Sequence, residues 1–189
     1  GLSLDETRGF IGQGAEVFVR RMMAARGISD ARQSEADILQ QFLSRYQYAV
    51  ENTVFYSGAY EALLALKAAG HRLGLCTNKP ELPTRAVLRH MAMEPLFDAV
   101  TAGDMLLSRK PEPEMLLATI SELGGGPTLY VGDSEVDAQT AMRAAIPFAL
   151  FTEGYRKTAV ASIDHDWAYN DFGMLQTIVA KALVVLVHT

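Results

Sequence analysis

From about residue 53 onward, short apolar runs alternate with helical segments, and this alternation is the feature that most constrains the fold. The apolar runs at 73–76, 98–101, 128–131 and 148–151 have the length of buried strands. Strands that alternate with helices through short loops form parallel sheets with helices on both faces. The pattern therefore predicts an α/β fold built on a doubly wound parallel sheet.

Residues 1–52 differ from the rest of the chain because they contain helical patterns and no strand pattern. Ser3 and Glu6 fit a capping box at the start of a first helix, which Gly12 to Gly14 would end. Two more helices are predicted from their apolar faces: Phe18, Met22 and Ala25 in one, and Leu39, Phe42, Leu43 and Tyr46 in the other. We therefore expect a helical domain at 1–52 and an α/β core at 53–189.

The composition fits a globular protein and argues against several kinds of partner. Apolar residues make up 49% of the 189 residues, which is enough for a sizeable core. The net charge is −5 and no basic run is present, so nucleic acid is not an expected partner. No segment reaches the ~18 apolar residues of a membrane helix. The single cysteine, Cys76, excludes an internal disulfide and fits a reducing, cytoplasmic location, while the oligomeric state stays open.

The residues that follow each apolar run are the first candidates for function, because open parallel sheets bind ligands at the carboxyl ends of their strands. In Gly132-Asp133-Ser134-Glu135-Val136-Asp137, Asp133 lies at a strand tip and Asp137 lies one helical turn later on the same side. Mg²⁺ prefers such oxygen ligands, usually one or two carboxylates with water and phosphate. The alternative is that Asp133 caps the next helix and Asp137 stabilises its first turn.

Three further polar residues follow strands or precede helices in the same part of the fold. Thr77 and Asn78 could hold an anion with their side chains and backbone amides, or they could simply cap the helix after Pro80. Lys110 could neutralise a phosphate, or it could be a solvated surface charge. Together with the two acids they indicate phosphoryl transfer, in which a protein mainly positions groups and neutralises charge.

Three segments resemble the second, third and fourth motifs of the haloacid dehalogenase-like phosphatases. They are Leu-Cys-Thr-Asn-Lys-Pro at 75–80, Arg-Lys-Pro-Glu-Pro at 109–113 and Tyr-Val-Gly-Asp-Ser-Glu-Val-Asp at 130–137. Residues 55–58 resemble the point where the chain re-enters the core after a helical cap. The resemblance implies a Rossmann-like core with a small helical cap. It also implies phosphate ester hydrolysis, because the relatives that cleave carbon–halogen bonds have a different fourth motif.

The resemblance also implies a role for each candidate residue. Thr77 would donate a hydrogen bond to the transferring phosphoryl group, with Asn78 beside it. Lys110 would stabilise the negative charge of the nucleophile and the phosphate. Asp133 would bind Mg²⁺ directly, and Asp137 would bind the ion or hold its water shell.

The cap and a late core loop carry a narrower resemblance. Residues 8–14 and 152–156 are similar to the branch of the family that hydrolyses 2-phosphoglycolate, a small phosphorylated metabolite, to glycolate and phosphate. Arg8 and the turn at 12–14 are then expected to face the active site, although Arg8 could also be an ordinary solvated residue. A sugar phosphomutase or a pyrophosphatase on the same core is the alternative.

The first motif of the family, an Asp-x-Asp-Gly-Thr run that supplies the aspartate nucleophile, does not occur in the chain. In the family its strand lies between those that end here at Thr77 and Asp133, and each backbone hydrogen bond lost there costs about 1–3 kcal/mol. We expect a further segment of roughly a few dozen residues upstream of Gly1, the size of a strand with helical turns. Without it the chain is expected to be inactive. The alternative is a non-catalytic remnant that binds phosphate or a partner.

Overall fold

A computed structural model of the chain describes residues 2–28 and 32–187. Its first part contains three helices: α1 (Leu4–Arg8), α2 (Ala15–Ala25) and α3 (Arg32–Tyr46). The capping box of α1 is confirmed, because the Glu6 amide donates to the Ser3 hydroxyl (3.2 Å) and the Ser3 amide donates to the Glu6 carboxylate (2.7 Å).

An aromatic row packs α2 against α3. The ring centroids of Phe18 and Phe42 lie 5.1 Å apart, and Phe42 continues the row to Tyr46 at 5.0 Å. The predicted helix is present as α2, in which Ala15, Val19 and Met23 are buried, whereas Phe18 and Met22 are half-buried and Ala25 is exposed. The helix α2 therefore has two apolar faces, one buried and one that carries Phe18 and lines a cavity.

The core contains strands and helices in alternation, as the sequence predicted. In chain order they are α4 (Ala59–Ala68), β1 (Gly74–Cys76), α5 (Glu81–His90), β2 (Ala99–Thr101), α6 (Glu114–Glu122), β3 (Tyr130–Gly132), α7 (Glu135–Ala144), β4 (Phe148–Phe151), β5 (Trp167–Tyr169) and α8 (Leu175–Val187). Short 3₁₀ helices cover 94–96, 160–162 and 172–174. The four predicted strands correspond to β1–β4, and β5 was not predicted.

The described strands form two parallel sheets, β1-β2 and β3-β4-β5. Among the described residues, β1 pairs only with β2 and β3 pairs only with β4, so each of these two strands has one unpaired edge. Cys76 of β1 and Tyr130 of β3 nevertheless pack in one buried cluster. The two sheets therefore share one core although their strands do not pair with each other.

Both faces of β4 are covered by helices. Phe148 and Leu150 pack into one buried cluster with α6 and α7, while Ala149 and Phe151 pack into a second cluster with α4 and α8. This alternation follows from the period of two along a strand and explains why all four residues are buried. The doubly wound arrangement is thereby confirmed. Within 2–28 and 32–187, no helix has both the length and the apolar character needed to cross a membrane.

Candidate active site

The carboxyl ends of β1 and β3 open into a cavity of about 820 Å³. The core wall of this cavity includes Thr77 after β1, Lys110 before α6, and the two acids Asp133 and Asp137 at the junction of β3 and α7. The opposite wall consists of residues from α2, α3 and the turn at 11–14. The structure thus brings the predicted hydroxyl, lysine and acids together in a single cavity.

A buried ion pair joins Lys110 to Asp137. The lysine Nζ lies 2.7 Å from Oδ1 of Asp137, and the two side chains are 11% and 7% exposed. Tyr130 donates to the same oxygen (3.0 Å), while the Ser134 hydroxyl (2.6 Å) and the Asp133 amide (3.2 Å) donate to Oδ2. Although burial acts to raise it, the Lys110 ammonium and these hydrogen bonds hold the pKa of Asp137 below its ordinary value.

These contacts leave Asp137 little capacity to bind a metal ion. A carboxylate offers about four lone-pair positions, and Asp137 has four donors. The role of Asp137 as a metal ligand stays a prediction. The geometry favours a different task, which is to hold the Lys110 ammonium at the rim of the sheet.

Asp133 has a much less satisfied carboxylate. Its Oδ2 accepts a hydrogen bond from the Tyr155 amide (2.9 Å), and no described residue donates to its Oδ1. Burial raises the pKa of Asp133, and the negative charge of Asp137 adds to the effect. A carboxylate that is partly desolvated and short of donors fits a cation ligand. The described residues contain no group of three or more metal-binding side chains.

Two glycines make room for the acids. A Cβ atom at Gly154 would lie 2.1 Å from Oδ2 of Asp133, and one at Gly132 would lie 2.4 Å from Cβ of Asp137. Neither distance is possible in a folded protein without a shift of the backbone or the acid. The lack of a side chain at these positions therefore lets both carboxylates pack directly against the strand ends.

Thr77 and Asn78 both line the cavity, but they differ in their hydrogen bonds. Thr77 lines the cavity, where its Oγ1 accepts from the Lys79 amide (3.1 Å) and keeps its proton for another acceptor. Asn78 is buried, and its Oδ1 accepts from the Lys110 amide (2.9 Å). Its Nδ2 donates to the carbonyls of Lys110 (2.9 Å) and Gly12 (3.1 Å). Phosphate binding by the Asn78 side chain thus stays a prediction, because its donors already hold the backbone around Lys110.

Of the predicted residues in the N-terminal part, the two glycines line the cavity and Arg8 does not. Gly12 and Gly14 line the cavity, and the left-handed φ of +88° at Gly14 suits only glycine well. Arg8 is exposed and is not among the residues that line the cavity. The turn is therefore in the expected place, whereas Arg8 lies outside the cavity wall.

Several contacts between the helical part and the core were missed by sequence reasoning. Arg109 forms an ion pair with Glu16 of α2 (3.1 Å), and Lys157 donates to the carbonyls of Gly9 (2.8 Å) and Ile11 (3.3 Å). The partners are 93, 148 and 146 residues apart, so no local spacing could have revealed them. These contacts hold the helical part over the cavity in the manner of a cap.

Parallel strands covered on both faces, a helical cap and a lysine with two acids at the strand ends define a capped α/β hydrolase. The chain belongs to the haloacid dehalogenase-like hydrolase family, which it matches over residues 2–145. The family resemblance stated from the three motifs is confirmed.

Several proteins that are similar to this chain are named as phosphoglycolate phosphatases. The chain is 41% identical over 182 residues to a phosphoglycolate phosphatase of Cereibacter sphaeroides, covering 96% of this chain and 84% of that protein. It is 39% identical to a phosphoglycolate phosphatase of Rhodobacter capsulatus, covering 94% and 81%. The crystal structure of a predicted phosphoglycolate phosphatase from Haemophilus somnus superposes with a TM-score of 0.86 at 27% identity, covering 94% and 83%.

Proposed function

We propose that this protein is a Mg²⁺-dependent phosphatase that hydrolyses 2-phosphoglycolate to glycolate and phosphate. The observation that carries the proposal is that Thr77, Lys110 and Asp133 line one cavity at the carboxyl ends of parallel strands. The relatives named as phosphoglycolate phosphatases, at 41% and 39% identity, support this choice of substrate.

Each side chain has a task in this proposal. The Thr77 hydroxyl donates a hydrogen bond to the phosphoryl group, and the Lys110 ammonium neutralises the charge that accumulates on its oxygens. Asp133 would hold Mg²⁺, which when bound would further neutralise the phosphate. The cap excludes water from the cavity and fixes the substrate against these groups.

We further propose that the aspartate nucleophile lies on a strand between β1 and β3. This is supported by the open edges of both strands and by the shared packing of Cys76 and Tyr130 across the division. A parallel strand in that position would end between Thr77 and Asp133. Its carboxylate oxygen would form a bond to phosphorus as the bond to the ester oxygen breaks, and glycolate would leave after taking up a proton. Water would then cleave the aspartyl-phosphate and release phosphate.

A phosphate-binding protein without catalysis is the second candidate, and one observation favours it for residues 1–189 alone. The carboxylates that line the cavity belong to Asp133, Glu135 and Asp137. Asp137 is saturated as described, and Glu135 accepts from the amides of Lys157 (2.7 Å) and Thr158 (2.6 Å). Among the described residues, Asp133 is thus the cavity carboxylate with the fewest hydrogen-bond donors, and the proposal assigns it to Mg²⁺.

An assay of phosphate release tests the proposal. A chain that includes the nucleophile strand is incubated with Mg²⁺ and separately with 2-phosphoglycolate, glucose 1-phosphate and pyrophosphate. We expect phosphate release to be fastest from 2-phosphoglycolate and to stop with a chelator, while residues 1–189 alone bind phosphate without turnover. No release from any ester by the longer chain would overturn the proposal, and preference for glucose 1-phosphate or pyrophosphate would favour a phosphomutase or pyrophosphatase.

We also propose a cytoplasmic location. Its support is Cys76, which is the only cysteine in the sequence and is buried in β1. Burial raises the pKa of its thiol, which keeps it protonated and poorly reactive. Fractionation of cells that express the protein tests the location, and recovery outside the cytoplasmic fraction would contradict it.

A further inference from the structure

The proposed substrate carries a second anionic group, its carboxylate. A cavity that binds this substrate needs a positively charged group to pair with that carboxylate. Four cationic side chains line the cavity among the residues that the structure describes: Arg21, Lys79, Lys110 and Lys157. The existing contacts of each one decide which of them can receive a carboxylate.

The three lysines are already engaged. Lys110 is paired with the buried aspartate described above at 2.7 Å. Lys157 donates to two carbonyls of the turn at 9–11, and in doing so it ties the cap to the core. Lys79 donates to the Tyr46 hydroxyl and lies 4.2 Å from the centre of its ring. A carboxylate could bind these lysines only by competing with contacts that hold the site together.

Arg21 is placed differently. It lies on the same face of α2 as Phe18, three residues earlier, and both line the cavity. Its Nη2 donates to the neutral Oε1 of Gln13 at 2.6 Å, and no acidic side chain of the described residues pairs with it. Long side chains on a helix lean toward its N-terminal end, and Gln13 lies just before that end, at the turn against the core. The contact therefore directs the guanidinium toward the core side of the cavity and leaves most of its five N–H donors for a ligand.

We propose that Arg21 is the residue that selects 2-phosphoglycolate, by binding the substrate carboxylate while the phosphate is held at the strand ends. A guanidinium matches a carboxylate with two parallel hydrogen bonds, which a single ammonium does not provide. Gln13 orients the guanidinium, and its amide N–H groups supply a further donor. This inference rests on the proposed function, because it assigns the second anion of that substrate.

The neighbouring arginine provides a matched control. Arg20 precedes Arg21 on α2 but is not among the residues that line the cavity. Its Nη2 lies 3.0 Å from Glu35 of α3, and its side chain is 67% exposed. The substitutions Arg21→Met and Arg20→Met therefore remove the same charge from the same helix, on different faces.

The test compares two substrates on the chain that includes the nucleophile strand. 2-Phosphoglycolate carries the carboxylate, and phenyl phosphate lacks it. We expect Arg21→Met to lower kcat/KM for 2-phosphoglycolate by about 10- to 100-fold, the effect of losing a charge-assisted contact, and to leave phenyl phosphate within about 2-fold. Arg20→Met should leave both substrates unchanged. Arg21→Lys, which keeps the charge but not the paired donors, should give an intermediate loss.

The outcomes separate this inference from the proposed function. Equal effects of Arg21→Met on both substrates, or no effect on either, would overturn the proposed role of Arg21 but would not affect the proposed phosphatase activity. A wild-type enzyme that does not prefer 2-phosphoglycolate to phenyl phosphate would remove the proposed substrate and this inference with it. If Arg21→Met does not fold by circular dichroism, Arg21→Lys and Arg21→Gln decide, and an unchanged substrate ratio in the folded variants overturns the inference.

Discussion

Lys110 Nζ lies 2.7 Å from Oδ1 of Asp137, and both side chains are almost completely buried. Removing one partner of such a buried ion pair strongly destabilises a protein, because the remaining charge is neither paired nor solvated. The pair therefore fixes the ammonium that the proposal places against the phosphate. It also makes stability and activity depend on the same contact.

The first prediction concerns this pair. Lys110→Met should destabilise the protein by about 3–5 kcal/mol, since it leaves Asp137 as an unpaired buried charge. The double variant Lys110→Met/Asp137→Asn should recover at least half of that loss, because the second change removes the orphaned charge, yet it should stay inactive. Urea unfolding of the single and double variants measures the coupling. Additive free energies of unfolding would show that the pair is not coupled as described.

The second prediction concerns Asp133 in the absence of metal. Its folded pKa is raised, chiefly by burial, so the folded protein binds the proton more tightly than the unfolded chain does. Ionisation of Asp133 therefore costs stability as the pH rises through the unfolded and then the folded pKa. Asp133→Asn should be more stable than the wild type at pH 7 with a chelator, and the gain should fade as the pH falls toward the unfolded value of about 4.

Thermal unfolding at both pH values measures this gain, and Asp171→Asn is the control. Asp171 is exposed and accepts from the Gly173 amide, so its loss should bring no gain at neutral pH. Added Mg²⁺ should stabilise the wild type and not Asp133→Asn. A lower unfolding temperature for Asp133→Asn than for the wild type at pH 7 without metal would contradict the destabilising effect of the ionised Asp133 carboxylate.

The third prediction concerns the space that Gly154 leaves for Asp133. The φ of Gly154 lies outside the left-handed range, so alanine fits its backbone, but the new Cβ would lie 2.1 Å from Oδ2 of Asp133. Gly154→Ala should displace this carboxylate and weaken Mn²⁺ binding by roughly 10- to 100-fold, the usual effect of disturbing a group that orients a metal ligand. Titration followed by electron paramagnetic resonance measures the affinity.

Gly173→Ala is the matched control for that substitution. Its Cβ would meet its nearest neighbour, Oδ1 of Asp171, at 3.3 Å, and its φ is also outside the left-handed range. This variant should bind Mn²⁺ as the wild type does. Equal affinities for all three proteins would mean that the Gly154 position does not hold Asp133.

The fourth prediction concerns Asn78, whose side chain holds the backbone of Lys110 on both sides of the residue. Asn78→Ala should lower stability by about 1–3 kcal/mol for each buried partner left unsatisfied. It should also lower kcat more than it raises KM, because the ammonium of Lys110 would lose its fixed position. The exposed Asn52, changed to alanine, is the control. A normal kcat in a folded Asn78→Ala variant would exclude this positioning role.

The strand ends were predictable because their signal is local. An apolar run followed by Thr77 or by Gly132-Asp133 marks the carboxyl end of a strand, and parallel strands bring these ends to the same rim. The convergence of Thr77, Lys110 and Asp133 follows from that topology and is present in the structure. The strand β5 (Trp167–Tyr169) was missed because the polar residues at 164–166 and 170–171 flank it closely and make the segment resemble a polar loop.

Local sequence patterns could not predict the contacts that give each site residue its role. Whether Asp137 binds a metal or anchors Lys110 depends on Tyr130 and Lys110, which lie 7 and 27 residues away. The position of Arg21 in the cavity depends on which of two apolar stripes of α2 turns inward. Such choices are made by packing between distant elements, and a single sequence carries no spacing that reports them.

A crystal structure of the protein with Mg²⁺ and orthovanadate, an analogue of phosphate, would show whether Thr77, Lys110 and Asp133 act on one bound ligand. We predict one vanadate within hydrogen-bond distance of both Thr77 Oγ1 and Lys110 Nζ, with Mg²⁺ bound to the carboxylate of Asp133. A vanadate that binds elsewhere, or a metal ion that does not contact Asp133, would contradict the proposed active site.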